Sequence, residues 1–335
     1  MKRLSALFVV FVFVLSCSGQ SDSPDLKGNK PQYASSKLDG RPVILSILPV
    51  ESASAMYERF VPLKYYLEQV LKRPVVIKVA KDYETAIQEI GSGKVHLAFL
   101  DPATYCEVKA RYKNKVKLLV RPVGKEGAKS RSVLVVKEGS GIEKVADVKG
   151  KRLALGNQQS SFSYLIPLAM LNDVGIGIKD FSGLDFLQQE DRVGLSVLIG
   201  YHDVGAMSEA VARKYSADGL KIIKTSEAIP SFVFCASDML TDAVKKDIVK
   251  SLTSLKDRES IASINKNMEG FAVAEDRDVD VIRVMIKNLT GRDYIEYGPK
   301  AIKVAVLPLY SAITLYDRYD PLMRYLSYKT GYEFK

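Results

Sequence analysis

From Arg41 onward, short β-branched runs alternate with segments whose apolar residues recur at helical spacing, and few folds accept that alternation. Pro42 to Leu48 is an apolar run closed by Pro49. Ser52 can cap a following helix in which Met56, Phe60, Leu63, Leu67, Val70 and Leu71 share one face. Pro74 to Val79 reads as a second strand, and Asp82 to Ile90 as a helix stopped by Gly91 and Gly93. Val95 to Leu100 is a third strand. Strand, helix, strand, helix, strand in this order implies a parallel sheet with helices on its faces. Val116 to Val120 and Ser132 to Val136 add strands. A second unit then opens with Arg152 to Leu155 and continues through a helix over Phe162 to Asp173, a strand over Phe181 to Leu187, a helix over Arg192 to Ile199 and a short strand over His202 to Met207. Lys221 to Lys224 and Phe232 to Ala236 are further strands, and Leu240 to about Leu289 is rich in helix. Two α/β units joined by extended segments leave a cleft between them, the usual place for a small ligand.

The chain has 335 residues, 47% apolar and 26% charged, which is ordinary globular composition and excludes wholesale disorder. Three cysteines cannot build a disulfide scaffold, and two histidines leave little material for a zinc site, so no metal and no cofactor are expected. The formal net charge is +10, and it stays positive if Lys2 and Arg3 are removed with a leader. That excess is spread along the chain with no basic stripe interleaved with aromatics, so no nucleic-acid partner is expected. Cys106 falls on a helix and Cys235 on a strand, and two buried free thiols are the preferred reading over a bridge.

Residues 1–17 form a signal peptide: Lys2 and Arg3, then an apolar core from Leu4 to Leu15, then Ser16 and Cys17. A core of about 12 residues is too short to span a bilayer, which takes ~20. Val14, Leu15, Ser16 and Cys17 resemble a bacterial lipobox, in which the cysteine is lipidated and becomes the mature N-terminus, so Cys17 is the expected lipid attachment site. Residues 18–40, rich in Ser, Gly, Asp, Lys and Pro, read as a flexible tether. The expected location is extracytoplasmic, with the chain held to a membrane by lipid.

Several weak motifs occur in one order: the strand ending at Pro49 followed by Ser52; Asp82-Tyr83; Gly93 through Ala98 with Tyr105; Gly150-Lys151; Ser160-Ser161 with Pro167; and Gly200 followed by Asp203 and Gly205. Together, over roughly residues 43 to 290, they resemble the phosphonate/phosphite/phosphate-binding family of ABC-importer substrate-binding proteins. The resemblance implies an α/β, two-lobed, type II periplasmic-binding-protein fold, each lobe a mixed sheet flanked by helices, closing by hinge motion on ligand in the cleft. Lobe one would comprise residues 41–125 plus 226–290, and lobe two residues 126–225. The partner it implies is an ABC permease, and the ligand a small oxyanion or a zwitterion. A ligand-sensing input domain of a signalling receptor is the alternative function, and an exported hydrolase a remote one. No nucleophile elbow, phosphate loop or metal-ligand spacing supports catalysis.

Ser160 and Ser161 precede a helix whose first N–H groups have no internal partners, a place suited to an anion, although either serine also serves as a plain cap. Tyr83 matches a family tyrosine that donates its hydroxyl into the cleft. The family's Ser-Thr-Ser-Gly pattern reads here Ser160, Ser161, Phe162, Ser163, so one hydroxyl has become a ring. Glu190 stands in place of a histidine that helps hold the oxyanion. Leu100 replaces an aromatic, with Asp101 next, and no acid near Ile229 to Phe232 matches the one that holds an aminoalkyl group. If Asp101 or Glu190 faces the cleft, a cationic or zwitterionic ligand follows; otherwise both face solvent. The expected ligand-binding set is Tyr83, Asp101, Ser160, Ser161, Ser163 and Glu190. His202 and Asp203 are adjacent on a strand and therefore point to opposite faces, which argues against a catalytic pair.

Residues 303–335 repeat the beginning of the domain. Leu307-Pro308 answers Leu48-Pro49, Ser311-Ala312 answers Ser52-Ala53, Tyr316 and Arg318 answer Tyr57 and Arg59, and Pro321-Leu322 answers Pro62-Leu63, all at one offset of 259. This reads as the start of a second, truncated copy: the front of a tandem protein, a shortened gene, or a fragment docked on the first domain.

Overall fold

Two mixed sheets of the same internal plan carry the molecule, because each begins with strands joined by helical crossovers and is finished by strands returning from elsewhere in the chain. The computed structural model describes residues 41–124, 129–295 and 301–335; the expected leader, tether and Cys17 lie outside the described residues. In chain order the first elements are β1 (Val43–Ile47), α1 (Ala53–Leu71), β2 (Val75–Val79), α2 (Tyr83–Gly91), β3 (Leu97–Leu100), α3 (Pro102–Tyr112) and β4 (Val116–Gly124). A short β5 (Lys129–Ser130) leads to β6 (Ser132–Lys137), β7 (Arg152–Leu155), α4 (Ile166–Asn172), β8 (Gly183–Phe186), α5 (Glu190–Leu198), β9 (Val204–Ser208), α6 (Glu209–Lys214) and β10 (Leu220–Thr225). The chain returns through β11 (Ile229–Pro230) to β12 (Val233–Ser237), α7 (Asp242–Ser254), α8 (Arg258–Ile264), β13 (Met268–Val273) and α9 (Asp280–Thr290). Last come β14 (Ala301–Ile302), α10 (Ala312–Thr330) and β15 (Glu333–Phe334).

The first sheet has the order β13-β4-β12-β3-β1-β2 and the second β10-β6-β9-β7-β8. In each, three parallel strands (β2-β1-β3 and β8-β7-β9) are followed by antiparallel ones, β12, β4 and β13 in the first sheet and β6 and β10 in the second. The two passages between sheets run side by side as β5 and β11, paired Ile229 to Ser130 and Pro230 to Lys129. The Ser130 and Ser231 hydroxyls meet there at 2.9 Å.

Central strands buried on both faces need continuous apolar runs, and Leu97–Leu100 of β3 and Val133–Val136 of β6 are buried throughout. Helix α1 turns Met56, Phe60, Leu63 and Leu67 inward, as the spacing predicts. The helix-rich stretch expected after Leu240 contains β13, whose Gly270 and mixed polarity hide the strand period; it pairs with β4 and completes the first sheet. Glu190 is the first residue of α5, two residues earlier than the apolar spacing suggested. The strand expected from His202 begins at Val204, so His202 and Asp203 both precede it and strand alternation does not apply to them; they are separated by their partners, His202 pairing with Asp185 at 3.0 Å and Asp203 with Arg152. Cys106 and Cys235 are both buried and unbridged, and burial pushes the thiols up, Cys106 to about 12. Among the described residues, no helix is long and apolar enough to cross a membrane.

Among the described residues the tail β14–α10–β15 joins neither main sheet, and its two strands pair only with each other. It is held to the body by ion pairs, Lys129 to Asp317 at 2.7 Å, Arg277 to Asp320 at 3.0 Å and Arg324 to Asp278 at 2.9 Å, and by Ile313, which is buried in the main core with Ala312 and Tyr316 packed beside it.

Gly205 on β9 lies under α5, where an added Cβ would fall 2.8 Å from Val193 Cγ1 and 2.9 Å from Val197 Cγ2. Neither β-branched side chain can swing away. Gly205→Ala is therefore expected to destabilise the protein by about 1–3 kcal/mol in urea unfolding, through overpacking.

Candidate ligand-binding cleft

In a parallel α/β unit the helix N-termini lie at the carboxyl ends of the strands, so the two lobes present their helix starts to one another. From the first lobe come Ser52 after β1, Asp82 and Tyr83 after β2, and Asp101 after β3; from the second come Ser160 after β7, Glu190 after β8, and Ser208 after β9. Five of these residues cap a helix with their own side chains: Ser52, Asp82, Asp101, Ser160 and Ser208. The loop–helix pattern S/T/D before an apolar periodic run thus positions nearly the whole cleft.

The centre is a reciprocal cap across the lobes. Asp101, fully buried, accepts the Thr104 N–H of its own helix at 2.9 Å and the Ser161 N–H of the opposite lobe at 2.9 Å. The Ser161 hydroxyl donates to Asp101 Oδ1 at 3.3 Å and accepts the Ala103 N–H at 2.8 Å. Each lobe therefore supplies an acceptor for the orphan N–H groups at the other's helix start. Ser160 accepts the Phe162 and Ser163 N–H groups, both at 3.2 Å. The amides that the sequence suggested were free to hold an anion are occupied, one of them by the protein's own carboxylate. The turn Ser161–Leu165 is a π-helical segment running into α4, which widens the helix start facing Asp101.

Tyr83 is buried with its hydroxyl against Ser160, and burial, then the charges of Asp101 and Glu190, raise its pKa well above the usual tyrosine value. Burial likewise raises Asp101, against the donors that favour its charge. Glu190 is buried, and its Oε2 accepts the Ser208 N–H at 3.0 Å and the Ser208 hydroxyl at 2.5 Å. Burial pushes Glu190 up to about 7; the Ser208 bonds oppose this, and the charges of Glu51 and Asp101 add to it. Five of the six expected residues are thus brought together: Tyr83, Asp101, Ser160, Ser161 and Glu190. Ser163 is not among them: its hydroxyl lies against Gly156, behind the cleft, and has no hydrogen-bond partner. The helical period explains this, because Ser163 stands two positions past Ser161 on another side of the turn.

Glu51, which the sequence reading passed over, is a sixth participant. It is buried beside Arg59 and Lys214, one from each lobe; burial disfavours its charge, but these two cations outweigh that and hold its pKa below the usual range. Its position two residues after Pro49, just beyond β1 where the strand delivers residues to the cleft, is the sequence signal that marks it. Further bridges are Gln159 to Glu84 at 2.7 Å, Thr104 to the Gln159 carbonyl at 3.1 Å, Glu190 N–H to the Val50 carbonyl at 2.8 Å, and Gln189 to the Glu51 carbonyl at 3.1 Å.

Phe162 fills the place of a hydroxyl with a ring that stacks on Phe232 (5.8 Å, 9°), which stacks on Phe99 (5.1 Å, 19°), which meets Phe60 at 5.2 Å. This row of rings crosses from lobe to lobe beside the hinge, each contact worth ~0.5–1.5 kcal/mol beyond its buried area. In this closed arrangement the cleft is filled by side chains from both lobes.

Two outcomes follow. Asp101→Ala strands the Thr104 and Ser161 N–H groups and releases the lobes. The expected loss is on the order of 1–3 kcal/mol per orphaned donor, together with a larger radius of gyration in small-angle scattering. An unchanged radius would show that the lobes do not depend on this carboxylate. For Glu190, the folded carboxyl holds its proton up to about pH 7, above its ordinary value of 4.5. Its contribution is full below the ordinary value and is lost as pH rises through about 7, so stability falls over that window. Glu190→Gln, which cannot ionise, should gain on the wild type in urea melts between pH 5 and 8, and a constant gap would refute the assignment.

Comparison with known proteins places this architecture. Residues 45–279 match the family described as ABC transporter, phosphonate, periplasmic substrate-binding protein. The chain is 24% identical over 256 residues to the phosphate-import protein PhnD of Mycolicibacterium smegmatis, covering 71% of this chain and 77% of that one. Its fold resembles PhnD1 from Prochlorococcus marinus, solved with methylphosphonate, at a TM-score of 0.68 and 17% identity over 75% of this chain and 98% of that one. It resembles equally the binding-protein component of an ABC phosphonate transporter from Pseudomonas aeruginosa, at 0.68 and 19% identity over 87% and 98%. The type II periplasmic-binding-protein fold implied by the sequence motifs is the fold of these neighbours. The chain belongs to the phosphonate-binding family of periplasmic substrate-binding proteins of ABC transporters.

Proposed function

We propose that this substrate-binding protein is held outside the cytoplasm by a lipid on Cys17, performs no catalysis, and delivers to an ABC permease a small zwitterion rather than a simple phosphorus oxyanion. The observation that carries the ligand reading is the pair of buried carboxyls, Asp101 and Glu190, that approach from opposite lobes and act on the same Tyr83 hydroxyl. A dianion entering at Ser160 and Ser161 must displace Asp101 from the Ser161 N–H and then face Glu190. Like charges in a buried site disfavour one another strongly. A ligand carrying an ammonium or quaternary nitrogen beside its anionic group removes that conflict. The nitrogen meets the carboxyls, and the anionic group meets the serine hydroxyls and the helix start. Tyr83 then serves as a neutral donor, and the ring of Phe162 excludes water beside the bound molecule.

The test is thermal unfolding and calorimetric titration with phosphate, methylphosphonate, 2-aminoethylphosphonate and glycine betaine. A true ligand at a hundredfold excess over its Kd stabilises the native state by about 2.7 kcal/mol, a readily measured shift. A zwitterion should bind, with affinity rising as pH passes through about 7 and Glu190 ionises. Tighter binding of phosphate or methylphosphonate by the wild-type protein would overturn the ligand reading while leaving the transport role intact. For the anchor, Cys17→Ser should abolish incorporation of a labelled fatty acid and release the protein from membranes; retention of the label would refute lipidation at that residue.

A further inference from the structure

We infer that residues 301–335 are the opening βαβ unit of a second binding domain, and that the free edge of β14 is the docking surface for the next strand–helix unit of that domain. The sequence repeat at an offset of 259 is reproduced by the backbone. Helix α1 spans Ala53–Leu71 and α10 spans Ala312–Thr330, both 19 residues long. Each is capped by the serine before it, Ser52 and Ser311, and each carries its one internal proline at the matching place, Pro62 and Pro321. The strands agree as well. β14 pairs with β15 in parallel, Ile302 opposite Phe334, and the counterpart in the first copy is Val43 opposite Val75, in β1 and β2. Helical spacing alone could arise by convergence, but a shared strand register, cap and proline position do not follow from it.

What differs is the environment. In the first copy β1 lies between β2 and β3, so Val43, Leu45, Ile47 and Leu48 are all 0% exposed. Their counterparts Ile302, Val304, Val306 and Leu307 are 40%, 39%, 40% and 75% exposed, and β14 has a neighbour on one side only among the described residues. On the helix, Leu63 is fully buried against the body, whereas its counterpart Leu322 is 47% exposed. Val304, Val306 and Leu307 follow the two-residue strand β14 in irregular chain, so the equivalent of β1 is only begun, and a parallel pair open on one side with exposed apolar residues is an unfinished sheet. The occupant it fits is a parallel strand with its following helix, equivalent to β3 and α3 in the first copy. The tail meets the first domain through hydroxyl–carboxylate bonds, Ser311 and Thr314 to Glu227 at 2.7 Å, and through an apolar contact at the start of α10, where Ile313 is buried with Ala312 and Tyr316 against the main core.

Lys335 holds the position of Val76, so residues 77–295 of this chain can be appended directly after it in the repeat's own register. Hydrogen exchange followed by mass spectrometry then reads the amides of residues 303–307, with those of β1 as an internal reference. In the extended chain these amides are expected to exchange more slowly than in the unextended chain by more than about tenfold. The added segment should unfold cooperatively. Placing Val304→Asp and Leu307→Asp in the extended chain should abolish that protection without changing β1. A folded added segment with unchanged exchange at 303–307 would overturn the proposal. So would an added segment that stays unfolded beside an intact first domain, since the tail would then not supply its first unit.

Discussion

One carboxylate serves two helix starts. Asp101 closes the first turn of α3 and, in the same orientation, accepts the Ser161 N–H from the other lobe, while Ser161 returns the favour to the Ala103 N–H. A buried charge is tolerated only where several donors surround it, and here those donors come from both lobes, so the charge is satisfied only when the lobes are together. The arrangement of the rest follows from that closure. Tyr83 reaches Ser160, Glu190 reaches the first-lobe backbone at Val50, Lys214 reaches Glu51, and Phe162 finds Phe232.

The same interaction sets the electrostatic character of the cleft. Helix N-termini favour negative charge, and this protein supplies that charge itself. The acids around it are treated unequally. Glu51 has Lys214 and Arg59 to hold it ionised, whereas Glu190 has only Ser208 and lies within reach of two other acids, so its charge is poised near neutrality. One fold thereby holds one carboxyl charged and another near its titration point.

The strand and helix order and the buried face of α1 were legible because period, caps and strand alternation are local properties. The gathering of Tyr83, Asp101, Ser160, Ser161 and Glu190 was legible through motif order and the rule that cleft residues follow parallel strands. Other features were hidden. Ser163 looks like its neighbours in sequence, and only the π turn and the close approach of Gly156 turn its hydroxyl away. β13 is masked in the sequence because Glu269 and Gly270 interrupt its apolar residues at a sheet edge. Glu51 carries no motif; its role depends on Lys214, 163 residues away.

The sequence by itself determined the two α/β units, the serine and aspartate caps that open their helices, and the repeat at 303–335, since each rests on residues close together in the chain. The tertiary structure decided what those caps do. Whether a helix-start N–H is free for a ligand or already bound depends on which side chain of the other lobe reaches it. That is a matter of hydrogen-bond distance across a cleft, and the 60 positions between Asp101 and Ser161 leave no trace of it in local sequence.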